Sequence, residues 1–404
     1  MNIATPATQL ATLLTASTLV LGCQSYQPQP LDLQQRSAEW AQRALDDPAI
    51  TDAAARLNTD PAGDSSGGYN PADGLTLREA EPVALVFNAE LRAERLRARV
   101  PLAGAEFAGL WDDPEIDGDL LRFTENVSDP WIAGIGIGFT LPLSGRLRVA
   151  EDQAWADVEH AWLTAAQHEW ALLETLRLKW IAWSALKLQG EALDDYLAEL
   201  EPLSASVGRL AEAGEVDPAS ARLLSIDAAQ RTLERARLAS QEQLALIELL
   251  SLIGLTPDAE VTLVPGMPDA DQREDSAPNA WVGHPDLRLA QAAYAQAELA
   301  LEREIVKQYP DLTIGPRVED EEGQSRLGVG FGLPIPLWNR NQRSIAEATA
   351  LRDAAAAEVD AVMQRLQAQL AIARATYDAA ERNAQQTSDT LGPLVEVQPK
   401  ALRE

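Results

Sequence analysis

The segment L-G-V-G-F-G-L-P-I-P-L, Leu327 to Leu337, decides how the rest of the chain is read. Leu327, Val329, Phe331, Leu333, Ile335 and Leu337 fall on one face of a period-2 strand, and Gly328, Gly330, Gly332, Pro334 and Pro336 fall on the other. Side chains alternate across a strand, so one face is apolar throughout and the other is almost bare. A strand with a greasy outside and a small, uncharged inside suits a barrel wall in lipid. The length also fits, because a tilted spanning strand needs about 9–11 residues.

The segment has a twin. Ile135, Ile137, Phe139, Leu141 and Leu143 alternate with Gly134, Gly136, Gly138, Thr140 and Pro142. Gly136 aligns with Gly328 and Pro142 with Pro334 at one offset, and a long Ala-rich helical segment follows each twin. The chain therefore reads as a tandem duplication of strand hairpin plus long helix. Upstream of each hairpin, Asn88-Ala89-Glu90-Leu91-Arg92 matches His284-Pro285-Asp286-Leu287-Arg288. In the first half the hairpin arms are expected at about residues 105–116 and 131–143, with Asp112, Asp113, Pro114, Asp117 and Gly118 in the turn. In the second half Asp311 begins one arm, Glu319 to Gly323 form an acidic loop, and Arg326 opens the return arm. Four strands are too few to close a spanning barrel, for which bacterial chains use at least eight.

After Gly145 the period changes from 2 to 3.6. From Arg146 to Ala213 the only proline is Pro202. At 1.5 Å rise per residue this stretch is roughly 100 Å long, too long for a globular-core helix. Trp155, Trp162, Trp170, Leu173, Trp180 and Leu188 recur along it and read as a seam facing another helix. A tight helical hairpin follows: Gly214 suits the left-handed position after a helix, Asp217 is a good N-cap and Pro218 a good first helical residue. The return helix is expected from Pro218 to Leu252, and the second long helix from near Asn341. Residues 31–57 read as one helix, Thr76 and Glu79 as a capping box, and Pro82 as the site of a bend. Pro393-Leu394 aligns with Pro202-Leu203, and Glu404 with Ala213, so the second return helix is expected to be missing through truncation.

Composition narrows the function. A net charge of −29 over 404 residues excludes a basic nucleic-acid binder and charge-driven docking on an anionic membrane. An acidic conduit for cations and a merely solvated acidic helix surface both remain open. Cys23 is the single cysteine, so there is no disulfide framework. The three histidines, His160, His168 and His284, are scattered, and His160 and His168 read as helix-surface or seam residues. No nucleophile–base set, phosphate loop or metal box is visible, so neither enzyme nor cofactor is expected, and no metal site is assigned. Residues 10–21 are apolar and end at Val20-Leu21-Gly22-Cys23, which resembles a bacterial lipobox with Cys23 as the lipidated residue. No Lys or Arg precedes Arg36, which departs from the usual basic start of a signal peptide.

Taken together, the two repeats of N-x-E/D-L-R or its His-Pro counterpart, hairpin, G-x-G-F-x-L-P and long helix resemble the TolC-type outer-membrane efflux family. The segment Ile335 to Ala348 is most similar to the heavy-metal-efflux branch, the CzcC/CusC-like proteins. The resemblance covers about residues 75–404. It implies a mixed fold of mainly long α-helices, in coiled-coil hairpins that form an α-barrel. Four β-strands from each chain contribute to a trimeric twelve-stranded outer-membrane β-barrel. It further implies a homotrimer in outer-membrane lipid, extending into the periplasm of a Gram-negative bacterium. Its partners would be a periplasmic adaptor (membrane fusion) protein and an inner-membrane pump. The function implied is a passive export duct of a tripartite system, with metal cations as the substrate class of the branch. A drug or type I protein-secretion duct, a lipid-anchored periplasmic coiled-coil scaffold, and a truncated non-conducting remnant are the alternatives. On this reading residues 1–22 are a lipoprotein-type signal peptide and 23–74 a periplasmic segment and linker. Residues 75–256 are the first repeat (hairpin 105–143, helical hairpin 146–254), 257–278 a linker, and 279–404 the second repeat (hairpin 311–337, long helix 341–404). The membrane-facing residues would be Ile135, Ile137, Phe139, Leu141, Val329, Phe331, Leu333 and Ile335. The tip that meets the adaptor would be Gly214, Glu215, Val216 and Asp217.

Overall fold

The computed structural model describes residues 25–58, 69–122, 124, 131–267, 280–321 and 324–401. Cys23, the apolar stretch before it and most of the two linkers lie outside the described residues. The chain divides into two units, residues 1–44 and residues 45–404. In the first, helix α1 (Leu33–Ala41) is capped by the Asp32 carboxylate, which accepts from the backbone N–H groups of Gln34 and Gln35. The expected single helix over 31–57 is thus corrected. A separate helix, α2 (Pro48–Asn58), opens the second unit. Pro48 accounts for the break, because a residue before proline is pushed out of the helical region while proline itself suits a helix start.

The second unit carries the duplication. Thr76 and Glu79 form the expected capping box at the start of α3 (Leu77–Phe87). Pro82 lies inside this helix, buried. The chain turns at Asn88, which closes α3 and caps α4 (Ala89–Arg97) through its side-chain oxygen on the Leu91 N–H at 2.9 Å. After α5 (Arg99–Ala105) come strands β1 (Glu115–Arg122) and β2 (Trp131–Leu141). The long helix α6 (Arg146–Glu212) and return helix α7 (Pro218–Ile253) complete the first repeat. The second repeat gives α8 (Pro285–Val306), β3 (Leu312–Glu321), β4 (Gln324–Gly332) and α9 (Gln342–Ala401). His284 caps α8 as Asn88 caps α4: its Nδ1 accepts from the Asp286 N–H at 3.2 Å.

Three strand assignments are corrected. The first arm is not 105–116; α5 and a loop occupy most of that range, and β1 carries Asp117 and Gly118 in its body. Glu319, Asp320 and Glu321 are strand residues of β3, not loop, and β4 opens at Gln324 ahead of Arg326. β4 ends at Gly332, so Leu333 and Ile335 follow the strand and are not part of it. Pro334 and Pro336 have no N–H to offer a ladder, which ends pairing there.

The four strands form one antiparallel sheet in the order β1-β2-β3-β4. The two repeats meet at its centre, where β2 pairs with β3 through Ile135–Val318 and Phe139–Ile314. The main core lies partway along α6, beyond the sheet. Trp180, Leu176 and Trp183 of α6 pack with Val83, Ala84 and Phe87 of α3 and with Leu249, Leu250 and Ile253 of α7. Ile50, Leu75 and Leu263 close it; on either side of Leu263, the Leu75 N–H donates to the Thr262 oxygen at 2.8 Å and the Leu75 oxygen accepts from the Val264 N–H at 2.9 Å. A smaller cluster in the second repeat joins Leu287 to Val362 and Leu366.

Candidate functional site

The sheet has two chemically different faces. Side chains of directly paired residues lie on the same face, so the register sorts them. One face carries Ile116 and Leu120 of β1, Ile135, Ile137 and Phe139 of β2, Ile314 and Val318 of β3, and Leu327, Val329 and Phe331 of β4. All of these are exposed; Leu327 and Phe331 are each 81% open. Taking one such side chain out of water is worth roughly 1.5–3 kcal/mol, so an uncovered row of them is a strong demand for an apolar surrounding. Ile135, Ile137, Phe139, Val329 and Phe331 are thus brought together as expected from the sequence. Leu141 continues their row at the sheet's base, opposite Leu312.

The opposite face is polar and stripped of bulk. Gly134, Gly136 and Gly138 of β2 lie there, with Gly328, Gly330 and Gly332 of β4. Between them sits a cluster that the sequence reading missed. The Arg317 guanidinium of β3 pairs with Asp117 at 2.7 Å, with Glu319 at 2.8 Å, and with Asp119. The glycines make room for it: a Cβ at Gly134 would stand 2.7 Å from the Asp119 carboxylate, and one at Gly136 2.8 Å from Asp117. Glu115, Asp117, Asp119 and Glu319 outnumber Arg317 and Arg326 on this face, so it is acidic even after internal pairing. Asp117 and Arg317 are far apart in the chain, and only the pairing of the two repeats brings them together.

Below the sheet, side chains tie strands to helices. Arg146, the first residue of α6, reaches both Asp112 and Asp311, and the Ser144 hydroxyl also bonds Asp311, at 3.1 Å. Burial disfavours the Arg146 charge, but bonds to Asp311 and Asp112 outweigh it and hold the guanidinium above its ordinary pKa. At the matching point of the second repeat, the Asn341 amide donates to the backbone oxygen of Glu304 at 2.8 Å and to its carboxylate at 2.9 Å. Gly145 and Asn341, just before α6 and α9, both have positive φ, 78° and 53°.

The far end of α6 is the second candidate region. Gly214 takes φ of 76°, the Glu215 N–H closes onto the Leu210 oxygen and the Gly214 N–H onto Ala211. Asp217 caps α7 by accepting from the Ala219 N–H at 3.1 Å, with Pro218 first in the helix. The turn expected from the sequence is present, with Glu215 and Asp217 exposed and Val216 half-buried.

The tryptophan row does not face one neighbour. Trp180 is fully buried, Trp170 meets His284 edge-on with ring centroids 6.0 Å apart, and Trp155 and Trp162 stay 49% and 44% exposed. Among the described residues no group of three or more His, Cys, Asp or Glu side chains could hold a metal ion. No described helix is long and apolar enough to cross a membrane.

No family model matches the chain. Protein CyaE of Bordetella pertussis is 33% identical over 183 residues, a stretch spanning 38% of this chain and 38% of that protein. CusC, whose solved structures concern folding and transmembrane channel formation, superposes with a TM-score of 0.68 at 14% identity, over 81% of each chain. A Pseudomonas aeruginosa membrane protein gives 0.65 at 17% identity over 81% of each chain. The outer membrane protein VceC of Vibrio cholerae gives 0.63 at 15%, over 81% of this chain and 85% of its own. The fold of this chain, mainly long helices with one four-strand antiparallel sheet, is therefore that of the TolC-like channels of the outer membrane.

Proposed function

We propose that the chain belongs to the TolC-type family and is one protomer of an outer-membrane efflux channel, closed as a homotrimer. The observation that carries this is the two-faced open sheet, with an exposed apolar face, an acidic glycine-lined face, and unpaired edges at β1 and β4. A four-strand sheet cannot close on itself, and an open edge in lipid leaves backbone groups unsatisfied. Three copies would supply twelve strands, put the apolar face in lipid and turn the acidic face to a water-filled lumen. Trp155 and Trp162, left open in the single chain, supply an aromatic surface for a neighbouring protomer's helix. The duct is passive, and a pump would supply the energy.

The acidic face favours cations by its field, screened beyond about 8 Å at physiological salt. This supports metal cations over neutral drugs as cargo, in keeping with a place near the heavy-metal-efflux branch. The exposed tip Gly214-Glu215-Val216-Asp217 is the proposed contact for a periplasmic adaptor, and Cys23 the proposed lipid anchor.

Reconstitution into planar bilayers tests the reading. A trimer by light scattering and discrete cation-preferring conductance steps are expected. A lipid-anchored scaffold would instead leave the bilayer electrically silent and its sheet open to water-soluble reagents.

A further inference from the structure

We propose that Arg317 is a specificity-determining residue of the duct. It is a fixed counter-charge, set among the carboxylates of the wall so that cations pass the acidic face without being held by it. The inference rests on the channel reading above.

Arg317 lies on β3, directly paired with Gly136 of β2 and with Gly328 of β4. Two of its carboxylate partners, Asp117 and Asp119, are on β1, two strands away or about 9–10 Å. The guanidinium reaches them by lying across β2, and that strand is bare where it crosses: a Cβ at Gly134 would stand 3.1 Å from its Nη2. The third partner, Glu319, is two positions on along β3. Three carboxylates from two strands thus converge on one side chain, and an arginine can serve them all because its planar fork presents five N–H donors. The Arg317 side chain is 31% exposed and that of Asp117 57%, so the group still faces the water on this side of the sheet.

One guanidinium among three carboxylates leaves the group at −2 instead of −3. That difference matters to a duct. Conduction needs attraction strong enough to draw an ion in and weak enough to let it leave. Carboxylates that converge on one point are how proteins hold divalent cations, and here the protein's own cation occupies that point. Asp117, Gly136, Arg317 and Gly328 share one row of the sheet, so in a closed trimer the group would recur three times at one level of the lumen. Glu115, in the row of Gly138, is outside the cluster and keeps its pull on cations. Arg317 therefore shifts the wall from retention toward passage.

Gly328 offers a place to read this, because a Cβ there meets no atom within 4 Å. The test uses Gly328→Cys in the Cys23→Ser chain folded into vesicles. Its thiol is modified by two methanethiosulfonates of similar size, one bearing trimethylammonium and one sulfonate, and the ratio of the two rates reads the local potential. Adding Arg317→Gln is expected to raise the cation-to-anion ratio about threefold, the effect of removing one charge roughly 6 Å away in screened water. Arg317→Lys should keep the parental ratio, since it keeps the charge and loses the fork; a ratio equal to that of Arg317→Gln would overturn the counter-charge role. Asp119→Asn, which leaves Arg317 in place, should lower the ratio by a similar factor and serves if Arg317→Gln does not fold. Val329→Cys on the apolar face tests the underlying reading separately. If it is protected while the ratio at 328 is unchanged by Arg317→Gln or by Asp119→Asn, the inference is overturned and the channel stands. If it reacts as fast as the thiol at 328, both fail.

Discussion

The two repeats of this chain meet the same backbone demands with different side chains. The helix leading to each hairpin is capped by Asn88 in the first repeat and by His284 in the second. The left-handed residue before each long helix is Gly145 in one and Asn341 in the other. Asparagine tolerates that conformation through its short polar side chain, and here it also holds Glu304. The cores differ more. The first repeat gathers α3, α6 and α7 around Trp180, whereas the described core of the second is the contact of Leu287 with Val362 and Leu366. The joints of the two repeats keep one backbone geometry with different side chains, and their described cores are built from different elements.

That contrast should show first in the cores. Trp180→Ala is expected to cost about 3–5 kcal/mol in urea unfolding, the range for deleting a large buried aromatic. Val362→Ala should cost only about 1–2 kcal/mol, since it removes two methyl groups from a small cluster. Equal costs would break the claim that the first repeat holds the main core. At the caps, Asn88→Ala should lose about 2–3 kcal/mol, because its amide also donates to the Leu252 oxygen at 2.9 Å and both bonds are lost. His284→Ala should lose about 1 kcal/mol, the value of a cap alone. At the joints, Gly145→Ala forces a Cβ into the left-handed region and should cost about 1–2 kcal/mol.

The smallest expected effect is a pH dependence shared by the repeats. Burial raises the Glu79 pKa, but bonds from the Asn70 N–H and from the Thr76 hydroxyl and N–H outweigh it, so the carboxyl titrates below its ordinary value. Glu304 behaves likewise: burial is outweighed by bonds from Lys307 and Asn341. Each lowered pKa means stability that is present above the unfolded value and lost as pH falls through the folded one. Unfolding free energy measured from pH 6 down to 3 should therefore drop, and Glu79→Gln or Glu304→Gln should each flatten part of that drop. Both sites are partly open to solvent, which keeps each contribution near or below 1 kcal/mol. A slope unchanged in both variants would remove this parallel.

What could be read from the sequence was local chemistry. The β2 and β4 alternation, the Thr76–Glu79 box and the Gly214 and Asp217-Pro218 turn each depend on residues a few positions apart. The hairpin matches also placed Asn88 and His284 in equivalent positions without revealing that both are caps. Acidic strand residues misled the reading. Asp117 and Glu319 resemble turn and loop residues until Arg317 is brought between them by pairing across repeats, which no local window shows. Trp180 and Trp155 looked alike along the helix, yet one is buried by α3 and α7 and the other is left half exposed.

The measurement that tests the central claim most directly is a cysteine scan of β2, positions 131–141, in vesicles, using the Cys23→Ser chain and a membrane-impermeant thiol reagent. The account predicts a period-2 record. Positions 134, 136, 138 and 140 should react through the water-filled interior, and positions 133, 135, 137 and 139 should be protected by lipid. Uniform reactivity on both faces would contradict a membrane wall and leave the sheet as a water-exposed element of some other assembly.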